Sequence, residues 1–282
     1  MTIKTVGVIG AGTMGNGIAH VFAKSGYQVI LVDVADQVLQ RGLETITKNL
    51  DREVAKQKIT AADRDAALKR INPETDFSYL AAADFIIEAA SEKFEIKSEI
   101  FRNLSLKARR GIVLATNTSS ISITKLAALT KHPDKVIGMH FFNPVPMMKL
   151  VEVIRGIATS QETYEAVRDL SLKLEKTPVE VNDYPGFVSN RVLMPLINEA
   201  IYTVMEGVAT PEAVDEVFKL GMAHPMGPLT LADFIGLDVC LDIMRVMESG
   251  LGDPKYRPCP LLIKMVDAGW LGRKSGRGFY KY

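Results

Sequence analysis

A glycine-rich turn that directly follows an apolar run is the feature that most constrains the fold of this chain. Residues 5–10, TVGVIG, are β-branched and apolar, which is typical of a buried strand. The turn GAGTMG comes next, and apolar residues at helical spacing follow it. A second apolar run, YQVILVD at 27–33, predicts another strand. The order strand, glycine turn, helix, strand predicts a βαβ unit.

The glycines of this turn have the GxGxxG spacing of a dinucleotide-binding site. Gly10 permits the tight turn, Gly12 lets a pyrophosphate approach the backbone, and Gly15 lets helix and strand pack closely. The start of the helix then offers N–H groups and a positive dipole to the phosphates. A turn that is glycine-rich by chance is the alternative. The strand before the turn and the helix after it favour the nucleotide site.

An acidic residue closes the second predicted strand. Asp33 lies 18 residues after Gly15. A carboxylate at this place can accept hydrogen bonds from both ribose hydroxyls of an adenosine, whereas it would repel a 2′-phosphate. No arginine directly follows Asp33. The sequence therefore predicts NAD as the cofactor in preference to NADP.

The remainder of the first two thirds of the chain alternates between strand-like and helical stretches. The further strand-like runs are 84–89, 111–116, 135–140 and 150–154. This alternation predicts an α/β fold of the Rossmann type, with a doubly wound, mostly parallel sheet. Residues 37–70 are rich in alanine and charged residues, and we interpret them as a helical hairpin that projects from the sheet.

The strand pattern ends near Tyr184. The stretch 188–205 is apolar and helical, and Thr210 and Pro211 have the residue types of a helix cap and a first helical position. We therefore predict an NAD-binding domain at 1–184 and an all-helical domain for substrate binding and dimerisation at 185–282.

Composition excludes several classes of function. The 282 residues are 47% hydrophobic and carry a formal net charge of +1, so no charge bias points to nucleic acid. No apolar run approaches the roughly 18 residues that a membrane span requires. The two cysteines, Cys240 and Cys259, are too few for a disulfide framework and have no neighbours at metal-ligand spacing. These features predict a cytoplasmic protein without a structural metal.

Polar residues follow three of the predicted strands at the point where each strand ends. Ligands of open α/β sheets bind beyond the carboxyl ends of the strands, so these residues are candidates for the site. They are Glu88, Glu92 and Lys97 after the first strand, Asn117 to Ser120 (NTSS) after the second, and His140 to Pro144 (HFFNP) after the third. Each could instead be a turn residue, and Ser119 or Ser120 could cap the next helix.

His140 is the candidate whose chemistry points most directly to a catalytic role. A histidine among apolar neighbours is usually a core residue, but a neutral imidazole also suits the base that alcohol dehydrogenation requires. Such a base needs an orienting partner. Glu152 lies inside the apolar run KLVEVI, where a carboxylate is unusual unless it is paired. If the chain reverses at NPVPM, the two strands lie side by side and His140 can meet Glu152 in a catalytic dyad.

Several longer motifs are distributed over the whole chain. They are GAGTMGNGIA, NTSS, HFFNPVPMMKLVEVI, PGFVSNR, HPMGPLTLADFIGLD and GRKSGRGFYKY. Together, in this order, they resemble the L-3-hydroxyacyl-CoA dehydrogenase family, and most closely its short bacterial members that act on 3-hydroxybutyryl-CoA. The resemblance implies NAD-dependent interconversion of (S)-3-hydroxyacyl-CoA and 3-oxoacyl-CoA. Short-chain substrates are expected, with 3-hydroxybutyryl-CoA and acetoacetyl-CoA as the pair.

The resemblance also implies roles for individual residues. His140 would be the base and Glu152 its partner, Ser119 would hydrogen-bond the substrate oxygen, and Asn190 of PGFVSNR would help to polarise the reacting carbonyl. The implied cofactor-binding residues are Gly10, Gly12, Gly15, Asp33, Glu92, Lys97, Asn117, Ser119, Asn143 and Lys274. The presence of Lys274 in this set implies that the C-terminal tail folds back to the site.

A basic stripe on the predicted hairpin is the candidate for the coenzyme A end. Lys48, Arg52 and Lys56 follow one another at intervals of four residues, so they share a helix face. Coenzyme A carries three phosphates, which such a stripe can bind. The alternative is a solvated face, since Asp51 and Glu53 are interspersed. The hairpin of the family contacts coenzyme A, so the resemblance favours Arg52 and Lys56.

Two other functions remain as alternatives. One is a β-hydroxyacid dehydrogenase of a free acid, which would typically use a lysine of the helical domain; the histidine–glutamate arrangement argues against it. The other is a non-catalytic, crystallin-like NAD-binding protein, which the intact set of candidate catalytic residues disfavours. The resemblance further implies a homodimer formed through the helical domain. Chain-length preference and pathway stay open.

Overall fold

The computed structural model describes residues 3–282, which form two compact units. The first unit ends at Asp183 and the second comprises Tyr184–Tyr282. Each unit has an apolar core of its own. The division falls where the strand pattern of the sequence ends. No helix in residues 3–282 is long and apolar enough to cross a membrane.

The first unit alternates strands with helices. Its elements are β1 (Thr5–Ile9), α1 (Thr13–Lys24), β2 (Gln28–Val32), α2 (Asp36–Ala55), α3 (Ala61–Lys69), β3 (Ile71–Glu74), β4 (Phe85–Glu88), α4 (Phe94–Lys107), β5 (Val113–Thr116), α5 (Ile123–Ala127), β6 (Val136–Phe141), β7 (Leu150–Arg155), α6 (Gln161–Lys173) and β8 (Thr177–Asn182). The strands form an eight-stranded sheet within the described residues, in the order β3-β2-β1-β4-β5-β6-β7-β8. All neighbouring pairs are parallel except β6–β7.

The central strands are apolar throughout because helices cover the sheet. Strands β4 and β5 are buried along their whole length, which explains why their sequences read as continuous apolar runs. The predicted Rossmann-type sheet is therefore confirmed. The two edge strands, β3 and β8, were not among the predicted strands. β8 has only Val181 fully buried, and β3 contains Pro73, which an edge strand tolerates.

The predicted helical hairpin consists of α2 and α3. A capping box starts α3: Thr60 accepts a hydrogen bond from the backbone N–H of Asp63, whose carboxylate accepts one in return. One face of α2 is buried in the core of the first unit through Leu39, Ile46 and Leu50. The hairpin therefore packs along α1. Most of its charged residues are exposed, whereas Glu53 faces α1 and pairs with Lys24.

The second unit is helical, as predicted. Its helices are α7 (Ser189–Met205), α8 (Pro211–Gly221), α9 (Pro228–Ile235), α10 (Leu237–Leu251) and α11 (Pro260–Asp267). Thr210 caps α8 by accepting a hydrogen bond from Ala213 N–H, and Pro211 takes the first helical position. The sequence signals for this helix are thus confirmed.

Two buried carboxylates anchor the C-terminal tail to the second unit. Asp233 of α9 is 1% exposed and accepts hydrogen bonds from the backbone N–H groups of Phe279 and Tyr280, each at 3.0 Å. Asp215 of α8 accepts one from the Tyr280 hydroxyl at 2.8 Å. A Cβ at position 278 would overlap the Asp233 carboxyl group, so the tail requires Gly278 there.

Candidate active site

The glycine turn between β1 and α1 has the shape that a dinucleotide requires. Gly10 has φ +94°, and a Cβ there would lie 2.6 Å from the carbonyl oxygen of Ala89. A Cβ on Gly15 would overlap the Gly10 carbonyl, so this glycine lets α1 pack against the turn. A Cβ on Gly12 would meet no atom within 4 Å and would enter the open space before α1. The three glycines therefore fit a bound pyrophosphate.

Asp33 lies directly after β2, beside this turn. Its Oδ2 accepts a hydrogen bond from the backbone N–H of Ala11 at 2.8 Å. The contact fixes the carboxylate at the carboxyl edge of the sheet and links it to the phosphate-binding turn. Half-buried at this position, Asp33 fits the acceptor role toward a ribose that the sequence predicts.

A fully buried ion pair lies at the carboxyl end of β4. Glu88 is 0% exposed and Lys97 of α4 is 1% exposed, and the lysine Nζ is 2.7 Å from Glu88 Oε1. Glu88 also accepts hydrogen bonds from Ala90 N–H and from the Thr116 hydroxyl, both at 2.6 Å. These three donors satisfy the buried carboxylate and join the ends of β4 and β5 to α4.

Glu92 organises the loop after β5. Its Oε2 lies 3.4 Å from Lys97 Nζ. Its Oε1 accepts hydrogen bonds from the Thr118 hydroxyl at 2.6 Å, from Ser119 N–H at 2.8 Å and from Ser120 N–H at 3.0 Å. Burial alone would raise the pKa of Glu92, but the lysine charge and these hydrogen bonds outweigh it, so the pKa lies below its ordinary value.

The same carboxylate holds the candidate serine. The Ser119 hydroxyl lies 3.2 Å from Glu92 Oε1, and that of Ser120 lies 2.9 Å from it. The alternative interpretation of these serines as helix caps is wrong, because Ser122 caps α5 by accepting a hydrogen bond from Lys125 N–H. Ser119 and Ser120 are thus held in a loop at the carboxyl edge of the sheet.

Asn117 ties β5 to the strand that carries the candidate base. Its side-chain oxygen accepts a hydrogen bond from the backbone N–H of Phe141 at 2.8 Å. Asn143 follows β6, is exposed, and precedes Pro144 through a cis peptide bond. The candidate residues of three strand ends therefore belong to one connected region of the first unit.

His140 and Glu152 pair across the antiparallel strands β6 and β7. The two residues are direct partners in the strand register, and His140 Nδ1 lies 2.8 Å from Glu152 Oε2. The pair is almost fully enclosed, at 7% and 2% exposed. The Phe142 ring packs against the imidazole at 4.6 Å between centroids. The predicted chain reversal at NPVPM is present, and it creates this contact.

The other predicted residues belong to the second unit and to helix α2. Asn190 is buried near the start of α7 in the second unit. Lys274 lies in a short 3-10 helix of the same unit and pairs with Asp238 at 2.6 Å. Arg52 is exposed in the last turn of α2, and Lys56 caps that helix. Their roles toward substrate and cofactor remain predictions.

Sequence reasoning included Glu88 and Thr118 among the strand-end candidates without assigning a role to either, and it did not include Thr116. Glu88 carries the same signal that identified Glu152, namely an acid within an apolar strand. The two threonines carry no such signal, because a threonine at a strand end is common. Their role becomes visible only when Glu88 and Glu92 are placed beside them.

The fold and this region define a class of protein before any relative is considered. A nicotinamide-dependent alcohol dehydrogenase requires a site for the cofactor pyrophosphate and an acid–base residue near it. The glycine turn and the histidine–carboxylate pair at the same sheet edge have these two properties. Comparison with known proteins makes the class specific. Residues 5–184 match the NAD-binding domain of 3-hydroxyacyl-CoA dehydrogenase, and residues 186–282 match its C-terminal domain. The chain belongs to the 3-hydroxyacyl-CoA dehydrogenase family, and it is an NAD-dependent oxidoreductase.

Individual relatives are similar over their full length. A probable 3-hydroxybutyryl-CoA dehydrogenase of Bacillus subtilis is 57% identical over 100% of this chain and 98% of its own. The 3-hydroxybutyryl-CoA dehydrogenase of Bradyrhizobium diazoefficiens is 55% identical over 99% and 96%. The crystal structure of an (S)-3-hydroxybutyryl-CoA dehydrogenase from Ralstonia eutropha superposes with a TM-score of 0.97 at 52% identity, covering 100% of this chain and 99% of that one.

Proposed function

We propose that the chain catalyses the reversible oxidation of (S)-3-hydroxybutyryl-CoA to acetoacetyl-CoA, with His140 as the acid–base. The observation that carries this proposal is the enclosed contact between His140 and Glu152 across β6 and β7. The similarity to 3-hydroxybutyryl-CoA dehydrogenases supports the choice of substrate.

The dyad determines which atom moves the proton. Glu152 accepts from Nδ1–H, so proton exchange with the substrate hydroxyl runs through Nε2 of His140. When His140 takes the proton, the carboxylate at 2.8 Å stabilises the imidazolium. The glycine turn and Asp33 would hold NAD, which would supply the hydride acceptor for C3. Because both side chains are almost fully buried, their electrostatic interaction is stronger than it would be in water.

The serine and asparagine candidates serve the substrate oxygen in this proposal. Glu92 holds the loop that presents Ser119, whose hydroxyl would hydrogen-bond the substrate oxygen. Asn190 would donate to the developing charge on the same oxygen. On the hairpin, Arg52 and Lys56 would bind coenzyme A phosphates, and the exposure of both side chains is consistent with that role.

The experiment compares His140→Gln and Glu152→Gln with the control His132→Gln, whose histidine is exposed in the same unit. NADH consumption is measured with acetoacetyl-CoA, with free acetoacetate, and with NADPH replacing NADH. We expect both dyad variants to lose about 10²-fold or more in kcat while NADH affinity holds, because acid–base catalysis contributes 10²–10⁴-fold. The control should match the wild type.

Other outcomes would redirect the proposal. Full turnover by His140→Gln would remove His140 from the reaction. Activity on the free acid but not on the thioester would point to a β-hydroxyacid dehydrogenase. NADH binding without turnover of either compound would point to a non-catalytic binding protein.

We also propose that the chain acts in the cytoplasm as a homodimer formed through its second unit. That unit exposes several large apolar side chains, which are Val192, Val208, Val217, Leu220 and Met222. Both cysteines are buried and unpaired, and burial raises the pKa of the Cys240 thiol to about 12, which suits a reducing compartment. Light scattering should give twice the chain mass of 31.0 kDa, and Leu220→Glu should lower it.

A further inference from the structure

A buried lysine donates hydrogen bonds to the connection between β6 and β7. Lys176 lies between α6 and β8 and is 6% exposed. Its Nζ is 2.6 Å from the carbonyl oxygen of Val145 and 2.8 Å from that of Met148. Both carbonyls belong to residues 142–149, which we call the hairpin turn. The ammonium group thus donates two charge-assisted hydrogen bonds to the turn.

The electrostatic setting of this ammonium is unusual. None of the carboxylates in residues 3–282 forms an ion pair with Lys176. Burial lowers its pKa, and the charge of Lys24 on α1 lowers it further; Glu175 and Glu53 of α2 act in the opposite direction. Burial lowers the pKa of His20 on α1, and the positive charge of Lys176 lowers it further. Burying a cation that only carbonyl groups stabilise lowers the stability of the fold. A lysine at this position is therefore expected to contribute something besides stability.

The carbonyl group of Val145 has few alternative hydrogen-bond donors. The backbone N–H groups of Met147 and Met148 bond to the carbonyl of Pro144, not to those of Val145 or Met148. Val145 is 2% exposed, so water has little access to its carbonyl. An apolar side chain at position 176 would therefore leave a buried acceptor unsatisfied, which disfavours this conformation of the turn.

The hairpin turn also packs against α1. A Cβ on Gly17 of α1 would lie 2.9 Å from Cβ of Val145, so α1 packs directly on the turn. Beside the lysine, Thr177 N–H donates to the carbonyl of Lys149 at 2.7 Å and starts the pairing of β7 with β8. Lys176 thus joins the turn to the edge of the sheet at the point where β7 begins.

The conformation of this turn sets the contact between the dyad residues. In an antiparallel pair the connecting turn fixes which residues face each other, and a slip by one residue moves a side chain to the other face. Here the register sets His140 opposite Glu152. We propose that Lys176 is a positioning residue, whose ammonium group fixes the hairpin turn so that His140 and Glu152 stay paired. This inference rests on the function proposed above.

The test uses Lys176→Met, Lys176→Arg and the matched control Lys173→Met, whose lysine is exposed at the end of α6. Two properties are measured besides thermal stability. The first is kcat with acetoacetyl-CoA, together with KM for NADH. The second is the downfield proton resonance of the His140 Nδ1–H group in protein labelled with ¹⁵N-histidine, assigned by its loss in His140→Gln and recorded without substrate.

We expect Lys176→Met to lose about 10²-fold in kcat, because a displacement near 1 Å in a reacting group has this effect. KM for NADH should change by less than about twofold, since the glycine turn is untouched. The Nδ1–H resonance should vanish or move upfield. Lys176→Arg keeps a charged donor and should restore the resonance and much of kcat, and Lys173→Met should resemble the wild type.

Retention of kcat and of the resonance in folded Lys176→Met, even with lower thermal stability, would overturn the proposal and leave a structural role. If that variant does not fold, Lys176→Gln and Lys176→Arg decide by the same two measurements. Failure of the proposed function is distinguishable, because the resonance does not depend on turnover: an active His140→Gln would refute the function while the resonance still reports on Lys176.

Discussion

Removal of the Lys97 charge should destabilise the first unit through the partner that it leaves behind. Lys97→Met keeps most of the side-chain volume but leaves Glu88, which is 0% exposed, without its cation. Ala90 N–H and the Thr116 hydroxyl continue to donate to the carboxylate at 2.6 Å each. The variant therefore retains two of the three donors and loses the one that carries charge.

The expected loss of stability follows from this inventory. Breaking a buried ion pair by removing one partner costs about 3–5 kcal/mol, because an uncompensated charge remains. The two remaining hydrogen bonds favour the lower end of this range, about 3 kcal/mol. For a unit of this size, that corresponds to a fall of about 10 °C in Tm.

A double variant separates the cost of the unpaired charge from the loss of the pair itself. Glu88→Gln combined with Lys97→Met removes both charges, and it should recover more than half of the lost free energy of unfolding. NADH affinity should fall in the single variant and in the double variant alike, since Glu92 loses its lysine at 3.4 Å in both. Chemical denaturation and calorimetric titration with NADH measure the two effects.

The control for this series is Lys93→Met, which removes an exposed lysine just before the same helix α4. It should lie within about 0.5 kcal/mol of the wild type. The reasoning fails if Lys97→Met costs less than about 1 kcal/mol, or if the double variant is as unstable as the single one.

Two further predictions concern the acids at the sheet edge. Asp33→Ala should weaken NADH binding about tenfold, because an acceptor for two ribose hydroxyls is lost. The preference of the protein for NADH over NADPH should therefore become smaller. An unchanged ratio of the NADH and NADPH affinities in calorimetric titrations would contradict this. Glu92→Gln should lower Tm at neutral pH. The pKa of Glu92 is lowered by folding, so its contribution is present above the unfolded value of about 4.3 and is lost as pH falls through the lower folded value. The Tm values of the wild type and of Glu92→Gln should therefore converge as the pH is lowered from neutral to acidic. A difference in Tm that stays constant with pH would refute this role of the Glu92 carboxylate.

The dyad could be predicted from the sequence because each of its determinants is local. An acid stands within the apolar run that becomes β7, and two prolines within NPVPM predict a reversal before it. Once the two strands are antiparallel neighbours, counting along the chain is enough to pair His140 with Glu152. The glycine turn was predictable for the same reason, since its three glycines carry the constraint themselves.

The edge strands and the role of the buried Lys176 could not be predicted in this way. β3 and β8 are mostly exposed, so neither has the apolar pattern of a strand, and pairing with β2 and β7 is what makes them strands. Lys176 lies in a polar stretch that reads as solvated. Its burial depends on the hairpin turn some thirty residues earlier, a relation that only the folded chain reveals.

The anchoring of the tail on Asp233 gives the chain an order of completion during translation. Proteins of this size fold from the N-terminus as they are synthesised, at about 5–20 residues per second. The sheet unit is fully synthesised at Asp183, whereas Asp233 must wait for Phe279 and Tyr280. Until these two residues are present, the Asp233 carboxylate lacks both of these backbone donors. A chain cut short before Phe279 would therefore join a complete sheet unit to a helical unit that lacks these contacts.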